Sequence, residues 1–235
     1  MIPQDSDHSV KVRDYFDGRV ADYDAFYDPP SALWRAFNRV FRKAVYLRRD
    51  QALAVARQHG CRTMLDVGCG SGRNSIYFAR KGIERVFGVD IALEMIHEAQ
   101  RLAAQAEVAD RCEFHHLDFV QMKPEAQFDI VVACGVFDYV EHADAFLRHM
   151  ASFAGRVIYG SFPGWTLVRS PLRKLRYALR GCPTHFYRRR ELIDLFRGVG
   201  FGEVEILPIP SGHLAWAVRT QAVSDVGRQT DRDPC

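Results

Sequence analysis

The sequence predicts an α/β fold, a doubly wound and mostly parallel seven-stranded sheet with helices on both faces and an antiparallel last strand. Three observations predict it. From residue 62 onward, short apolar runs alternate with segments of helical period, as in a parallel sheet crossed by helices. The first apolar run passes straight into a triple-glycine turn, Val67-Gly68-Cys69-Gly70-Ser71-Gly72-Arg73, and then into a helical pattern. The run Phe128-Asp129-Ile130-Val131-Val132-Ala133-Cys134 is nearly all apolar, as a central strand covered on both faces should be.

The elements follow in order. Residues 1–12 are polar and are expected to be disordered. Val12 to Tyr27 mixes aromatic and acidic residues, and Pro29-Pro30 then breaks any helix. Residues 31–59 read as a long helix, with Leu33, Phe37, Phe41 and Ala44-Val45 spaced by three and four. Residues 1–60 are therefore expected to form an N-terminal helical unit. Strands are expected at 62–67, 85–89, 112–116, 128–134 and 155–161, with helices at 72–81, 92–105 and 143–153 between them. Residues 162–187 interrupt this rhythm as an insertion, in which Pro163-Gly164 and Gly181-Cys182-Pro183 bracket a helix at 166–179. A helix at 189–198 comes next, with Gly200 near its end. Strands at 202–208 and 213–219 are joined through Pro208, Pro210 and Gly212, a connection short enough for an antiparallel hairpin. The main domain spans 61–220, and the polar residues 221–235 are expected to be a disordered tail.

Composition narrows the function. The 235 residues suit one large domain, and 48% hydrophobic content supports a full core. No apolar run approaches the ~18 residues of a membrane span. The first residues lack an apolar signal region, so a cytoplasmic location is expected. Six cysteines (Cys61, Cys69, Cys112, Cys134, Cys182 and Cys235) form no C-x-x-C pair, which suits reduced thiols. The adjacent His115-His116 would point to opposite faces of a strand, so no metal site is expected. The net charge of +3 is modest. Basic residues nevertheless cluster, from Arg35 to Arg49 and again through Arg169, Arg173, Lys174, Arg176, Arg180 and Arg188 to Arg190. These blocks read either as solvated helix faces or as a field attracting an anionic substrate or RNA.

The glycine turn carries the chemistry. Glycine tolerates φ > 0 and lets backbone amides approach a ligand where strand meets helix. Asp66 stands just before the turn, a poor neighbour for phosphate but a good one for a ligand carrying an ammonium and a sulfonium. Eighteen residues past Gly72, Val86-Phe87-Gly88-Val89-Asp90 reads as a second strand ending in a carboxylate, placed to accept ribose hydroxyls. The spacing is G-x-G-x-G, with Arg73 where the dinucleotide fingerprint G-x-G-x-x-G has its third glycine. Ligands of open α/β sheets bind beyond the carboxyl ends of the strands, so these strand ends outline a pocket.

Together Asp66, the three glycines and Asp90 resemble the first motifs of the class I S-adenosylmethionine (SAM)-dependent methyltransferases, small-molecule branch, which share a Rossmann-like fold. The resemblance spans roughly residues 12–219 and implies SAM as cofactor and S-adenosylhomocysteine (SAH) as product. It implies that Gly68, Gly70 and Gly72 face the methionyl part, that Asp66 helps hold its ammonium, and that Asp90 takes the ribose. Ile91 and Met95 then pack the adenine, although Met95 serves equally well as a helix core residue. Asp118 matches the acid near the adenine amine, unless it is an ordinary loop carboxylate, and Phe119 matches the neighbouring apolar contact. Cys134-Gly135-Val136-Phe137-Asp138-Tyr139 lies beside the transferring methyl in the family. Tyr15 and Tyr23 match an aromatic–acid lead-in that folds over SAM as a lid, the alternative being a helix packed on the sheet.

For the acceptor side, Tyr139, Glu141 and His142 follow the fourth strand, and His185 and Tyr187 follow the insertion, which commonly caps the acceptor pocket in this family. His185 and His142 are the candidates for a general base, with Tyr187 and Tyr139 as further contacts. The ubiquinone-biosynthesis and magnesium-protoporphyrin O-methyltransferases look most similar. The porphyrin likeness rests on Val12-Arg13-Asp14-Tyr15-Phe16-Asp17-Gly18, on Ala143-Asp144-Ala145-Phe146-Leu147 and on Gly160-Ser161-Phe162-Pro163. Tyr139 stands where a histidine is expected in that branch, and Trp165 to Tyr187 is unusually basic, so the likeness reads as architecture rather than substrate. The expected function is methyl transfer to an oxygen or nitrogen of a small molecule, with anionic and aromatic acceptors both in view. The alternatives are an RNA or protein methyltransferase and a non-catalytic SAM-binding protein. Nucleic acid is not expected as a partner, and the oligomeric state stays open.

Overall fold

The computed structural model describes Arg13 and residues 39–164, 185–202 and 204–219, with side chains of the first helix from Val45 onward. Helix α1 (Arg39–Gln58) leads into strand β1 (Thr63–Val67), helix α2 (Arg73–Arg80), strand β2 (Arg85–Asp90) and helix α3 (Leu93–Gln105). Strand β3 (Cys112–His116), a 3-10 turn (Phe119–Gln121), strand β4 (Phe128–Ala133), helix α4 (Ala143–Phe153) and strand β5 (Ala154–Pro163) follow. Helix α5 (Arg189–Arg197) and strands β6 (Val204–Ile209) and β7 (Gly212–Val218) complete it. The insertion helix at 166–179, Tyr15 and Tyr23, most of the N-terminal unit and the tail from 221 lie outside the described residues.

All seven strands join one sheet in the order β3-β2-β1-β4-β5-β7-β6. The first five run parallel, and β7 enters antiparallel between β5 and β6. The chain moves outward from β1 to β3 and then returns to place β4 on the other side of β1. The switch in strand direction of travel therefore falls between β1 and β4, where a crevice opens at their carboxyl ends.

Strand alternation sorts the core into two layers. Met64, Ile130, Val132, Val157, Tyr159, Leu214 and Trp216 face α1, α2 and α3. Leu65, Val67, Val131, Ala133, Ile158, Ala215 and Ala217 face α4, α5 and the 3-10 turn. Helix α5 packs through Leu192 and Phe196, four residues apart, and its first turn is closed by the Arg188 amide donating to Glu191 at 2.8 Å. Arg57 on α1 donates to the Lys81 carbonyl at 2.6 Å, covering the exposed end of α2.

Strand β5 is longer than the apolar run suggests, because Phe153 passes into Ala154 with no loop and the strand continues to Pro163. Its extra length carries Ser161, Phe162 and Pro163 past the end of β4. Phe162 stacks on Phe137, with centroids 4.2 Å apart. A Cβ on Gly160 would stand 2.7 Å from the Phe162 ring and 2.9 Å from that of Phe137, so glycine makes the stack possible.

Candidate functional site

The residues at the β1 exit form a tightly tied loop. Gly68, Gly70 and Gly72 have φ of 67°, 54° and 70°, left-handed values that cost other residues energy. The Gly68 and Cys69 amides donate to the Val89 carbonyl at 2.8 and 3.1 Å. The Gly70 amide donates to Oδ2 of Asp90 at 2.8 Å, and Oδ1 of Asp90 accepts from the Ala92 amide at 2.9 Å. Asp90 thus locks the loop to the end of β2. A Cβ on Gly68 would meet Val136 at 2.5 Å, and one on Gly72 would meet Ala99 and Phe114 at 2.8 Å. These two glycines answer to packing beneath the loop as well as to its conformation.

Asp66 is fully buried on the α2 side of β1, where Ser75 Oγ donates to it at 2.6 Å. Burial pushes its carboxyl up to about 7, the Ser75 hydrogen bond opposing and the nearby Asp90 charge adding. Among the described residues the buried polar or charged side chains are Asp66, Ser71, Ser75, Asp138 and Ser161. They come from β1, the glycine loop, the first turn of α2, the segment after β4 and the end of β5. Burial of polar groups is costly, and here it gathers around one edge of the sheet, as at functional sites.

The adenine-side candidates separate into rim and floor. Ile91 is half-buried, and its carbonyl meets Nε2 of His116 at 3.0 Å. Met95 is buried in α3. Asp118 is half-buried and opens the 3-10 turn by accepting from the Val120 amide at 3.1 Å. Phe119 turns inward onto Phe146, His149 and Phe153, with centroids 4.8 to 5.3 Å away.

On the acceptor side, Cys134 is half-buried and its thiol is pushed up to about 12 by burial and by the Asp66 charge, partly offset by Arg48. Tyr139 is half-buried and closes a turn through its amide to Val136 at 2.9 Å. Glu141 and His142 are exposed, and His142 starts α4. The chain returning after the insertion is stitched to the same edge. The His185 amide donates to the Asp138 carbonyl at 3.0 Å, and the Tyr187 amide donates to the Pro163 carbonyl at 2.8 Å. His185 is half-buried there. Tyr187 is buried edge-on against Phe137 and Phe162, and burial raises its hydroxyl well above the ordinary tyrosine range.

Sequence reasoning passed over Asp138, whose side chain is only 3% exposed. A lone acid after Val136-Phe137 was the available signal. It also passed over Arg48, Ser161 and His213, which three distant segments bring to this edge. Ser161 Oγ accepts from the Gly135 amide at 2.8 Å.

A methyltransferase domain model matches residues 64–154, the stretch from β1 through α4. The structure also superposes on the crystal structure of a magnesium protoporphyrin IX methyltransferase from Synechocystis with bound SAH. The TM-score is 0.75 at 24% identity, covering 91% of this chain and 100% of that one. Residues 64–154 thus carry a methyltransferase domain, set in a fold shared with that enzyme. In sequence it is 34% identical over 113 residues to a magnesium-protoporphyrin O-methyltransferase of Synechocystis, covering 47% of this chain and 48% of the relative. It is 29% identical over 132 residues to a probable fatty acid methyltransferase of Pseudomonas putida, covering 51% of this chain and 32% of the relative. The chain thus aligns with a third to a half of the length of these curated methyltransferases. Among the described residues no helix is long and apolar enough to cross a membrane, and no cluster suited to a metal ion is present.

Proposed function

We propose that this protein is a methyltransferase that binds SAM at the β1–β2 edge and methylates an oxygen or nitrogen of a small molecule in the cytoplasm. The observation that carries this reading is the Gly68–Gly70–Gly72 loop, held open by Asp90 above a buried Asp66. Bound there, SAM supplies a methyl group on a positively charged sulfur, already activated for in-line displacement.

The chain's part is positioning. Gly68, Gly70 and Gly72 leave room for the methionyl part, and Asp66 provides negative potential for its ammonium through the loop. Asp90 accepts the ribose hydroxyls while keeping its hold on Gly70. Ile91 and Asp118 border the adenine, and Met95 and Phe119 support that wall from the core side. Cys134 and Tyr139 border the region where the acceptor meets the methyl. Holding the two reactants in line and excluding water supplies most of the acceleration such a site needs. Where the acceptor must lose a proton, His185 is the favoured base, since it is half-buried and its backbone is anchored to Asp138. His142 is exposed at a helix start, and Tyr187 is committed to the core, so both rank below it.

Calorimetric titration with SAH tests this reading. One-to-one binding in the low micromolar range or tighter is expected, with marked weakening in Asp90→Ala. No SAH binding by the folded wild-type protein would overturn it. Mass spectrometry of cell extract incubated with the enzyme and SAM then looks for a small molecule gaining one methyl group. Methylation confined to RNA or protein fractions would instead favour a macromolecular acceptor.

A further inference from the structure

Among the described residues Arg48, at the carboxyl edge of the sheet, has no counter-ion. Its Nη2 donates to Ser211 Oγ across a long 3.5 Å, and its Nε is buried with no hydrogen-bond partner. Among the described residues no carboxylate forms an ion pair with it. Guanidinium carries five donors in a rigid fork, and leaving a buried donor unmatched is costly. Proteins rarely retain such a group unless something else supplies the acceptor.

Its placement is built. The Arg48 carbonyl accepts the hydroxyl of fully buried Tyr159 at 2.8 Å, which pins this turn of α1 to β5. Nη1 lies close to the turn after β4, so that a Cβ on Gly135 would stand only 3.3 Å from it. Gly135 has φ of 90° and is tied to Ser161. Ser211 belongs to the β6–β7 connection, and its carbonyl accepts from the Gly164 amide at 3.2 Å. Three remote segments thereby hold one guanidinium near Cys134, the residue just after β4. Just beyond Ser211, His213 has a buried Nδ1 without a partner. Burial and the Arg189 charge lower its basicity, so the exposed Arg189 adds a second positive charge near the same edge.

We propose that Arg48, with Ser211, is an anion-recognition subsite that seats a carboxylate of the methyl acceptor beside the β4 exit. The inference rests on the methyltransferase reading for what the anion belongs to, but not for the anion site itself. A planar carboxylate matches the guanidinium fork in two-point contact, and Ser211 Oγ adds a third donor. The acceptor class is then a small carboxylic acid, oriented by its charge with its methylated atom elsewhere on the molecule.

The test is calorimetry on the full chain saturated with SAH, titrated with sodium benzoate and with benzamide, its neutral isostere. Benzoate should bind at least about tenfold more tightly than benzamide. Arg48→Gln should remove that preference while leaving SAH affinity unchanged. Equal affinity for the two probes, no benzoate binding to wild type, or an unchanged preference in Arg48→Gln would overturn the proposal. Should Arg48→Gln fail to fold, wild-type protein is treated with phenylglyoxal and the Arg48 peptide followed by mass spectrometry. Benzoate should then slow modification of Arg48, and no slowing would overturn the proposal. SAH titration without benzoate judges the methyltransferase reading separately. Arg48-dependent benzoate binding in a protein that ignores SAH would preserve the anion site and remove that reading.

Discussion

Burial takes Asp66 far from its solution chemistry. An unfolded carboxyl ionises near 4, whereas burial holds the folded one up to about 7. Between these values the folded protein keeps a proton that the unfolded chain has lost, so stability falls as pH rises through this window. The contribution is fully present below about pH 4 and gone above about pH 7. Asp66→Asn keeps an acceptor for Ser75 and should flatten that slope. Its urea midpoint should exceed wild type at pH 8, by roughly 2–4 kcal/mol in stability, and converge with it near pH 4. If SAM is the ligand, ionised Asp66 attracts its ammonium, so SAH affinity should rise from pH 6 to pH 8 in wild type and stay flat in Asp66→Asn. Gly68 offers a second test. Gly68→Ala combines a φ of 67° with a 2.5 Å approach to Val136, and should cost about 1–3 kcal/mol. Gly200→Ala, at φ of 73° with open space around it, should cost only the backbone share, about 1 kcal/mol. Equal losses in denaturant titration would mean that the contact with Val136 relaxes freely.

At the scale of elements, the two ends of the sheet do different work. The amino end of β1 and β4 is tied by Asp129, whose Oδ2 accepts from the Arg62 and Thr63 amides at 2.8 and 2.9 Å and from Thr63 Oγ1 at 3.2 Å. Thr63 Oγ1 in turn accepts from the Asp129 amide at 2.9 Å. Asp129→Ala strands two amides and should destabilise the protein by about 1–3 kcal/mol. SAH affinity should hardly move, because the pair lies at the edge opposite the glycine loop. A large loss of SAH binding at intact fold would contradict this division of labour. The carboxyl end adds positive-φ glycines, buried acids and the Arg48 guanidinium to its own hydrogen bonds.

The whole molecule joins these ends through one sheet with two cores, so a ligand at the carboxyl edge should stabilise everything beneath it. A ligand present at 100 times its dissociation constant and bound only to the folded state adds about 2.7 kcal/mol. For a domain of this size that corresponds to a rise of about 5–10 °C in Tm. Saturating SAH should produce such a rise by differential scanning fluorimetry, and Asp90→Ala should lose most of it. A rise of the same size in Asp90→Ala would remove Asp90 from the binding site.

Much of this architecture is written locally. The sequence alone determined the alternation of strands and helices, the glycine turn, the carboxylates at strand ends and the closing hairpin, because each depends on neighbours a few residues apart. Strand β3 and helix α4 occupy the expected spans of 112–116 and 143–153. Only the tertiary structure decided the rest. Whether Phe119 faces a pocket or the core depends on Phe146 and Phe153, some 30 residues away, and the aromatic core claims it. Tyr187 is absorbed in the same way by Phe137 and Phe162. Asp138 is unremarkable as a letter and becomes a buried acid only when the chain returns at His185. Arg48 sits within a basic stretch that reads as a solvated helix face, and gains meaning only when Gly135 and Ser211 arrive from the far ends of β4 and β6. Local pattern encodes which elements form, because hydrogen bonding and periodicity are short-range. Burial and charge balance are set by contacts between remote segments, and those decide which side chains are left to meet a ligand.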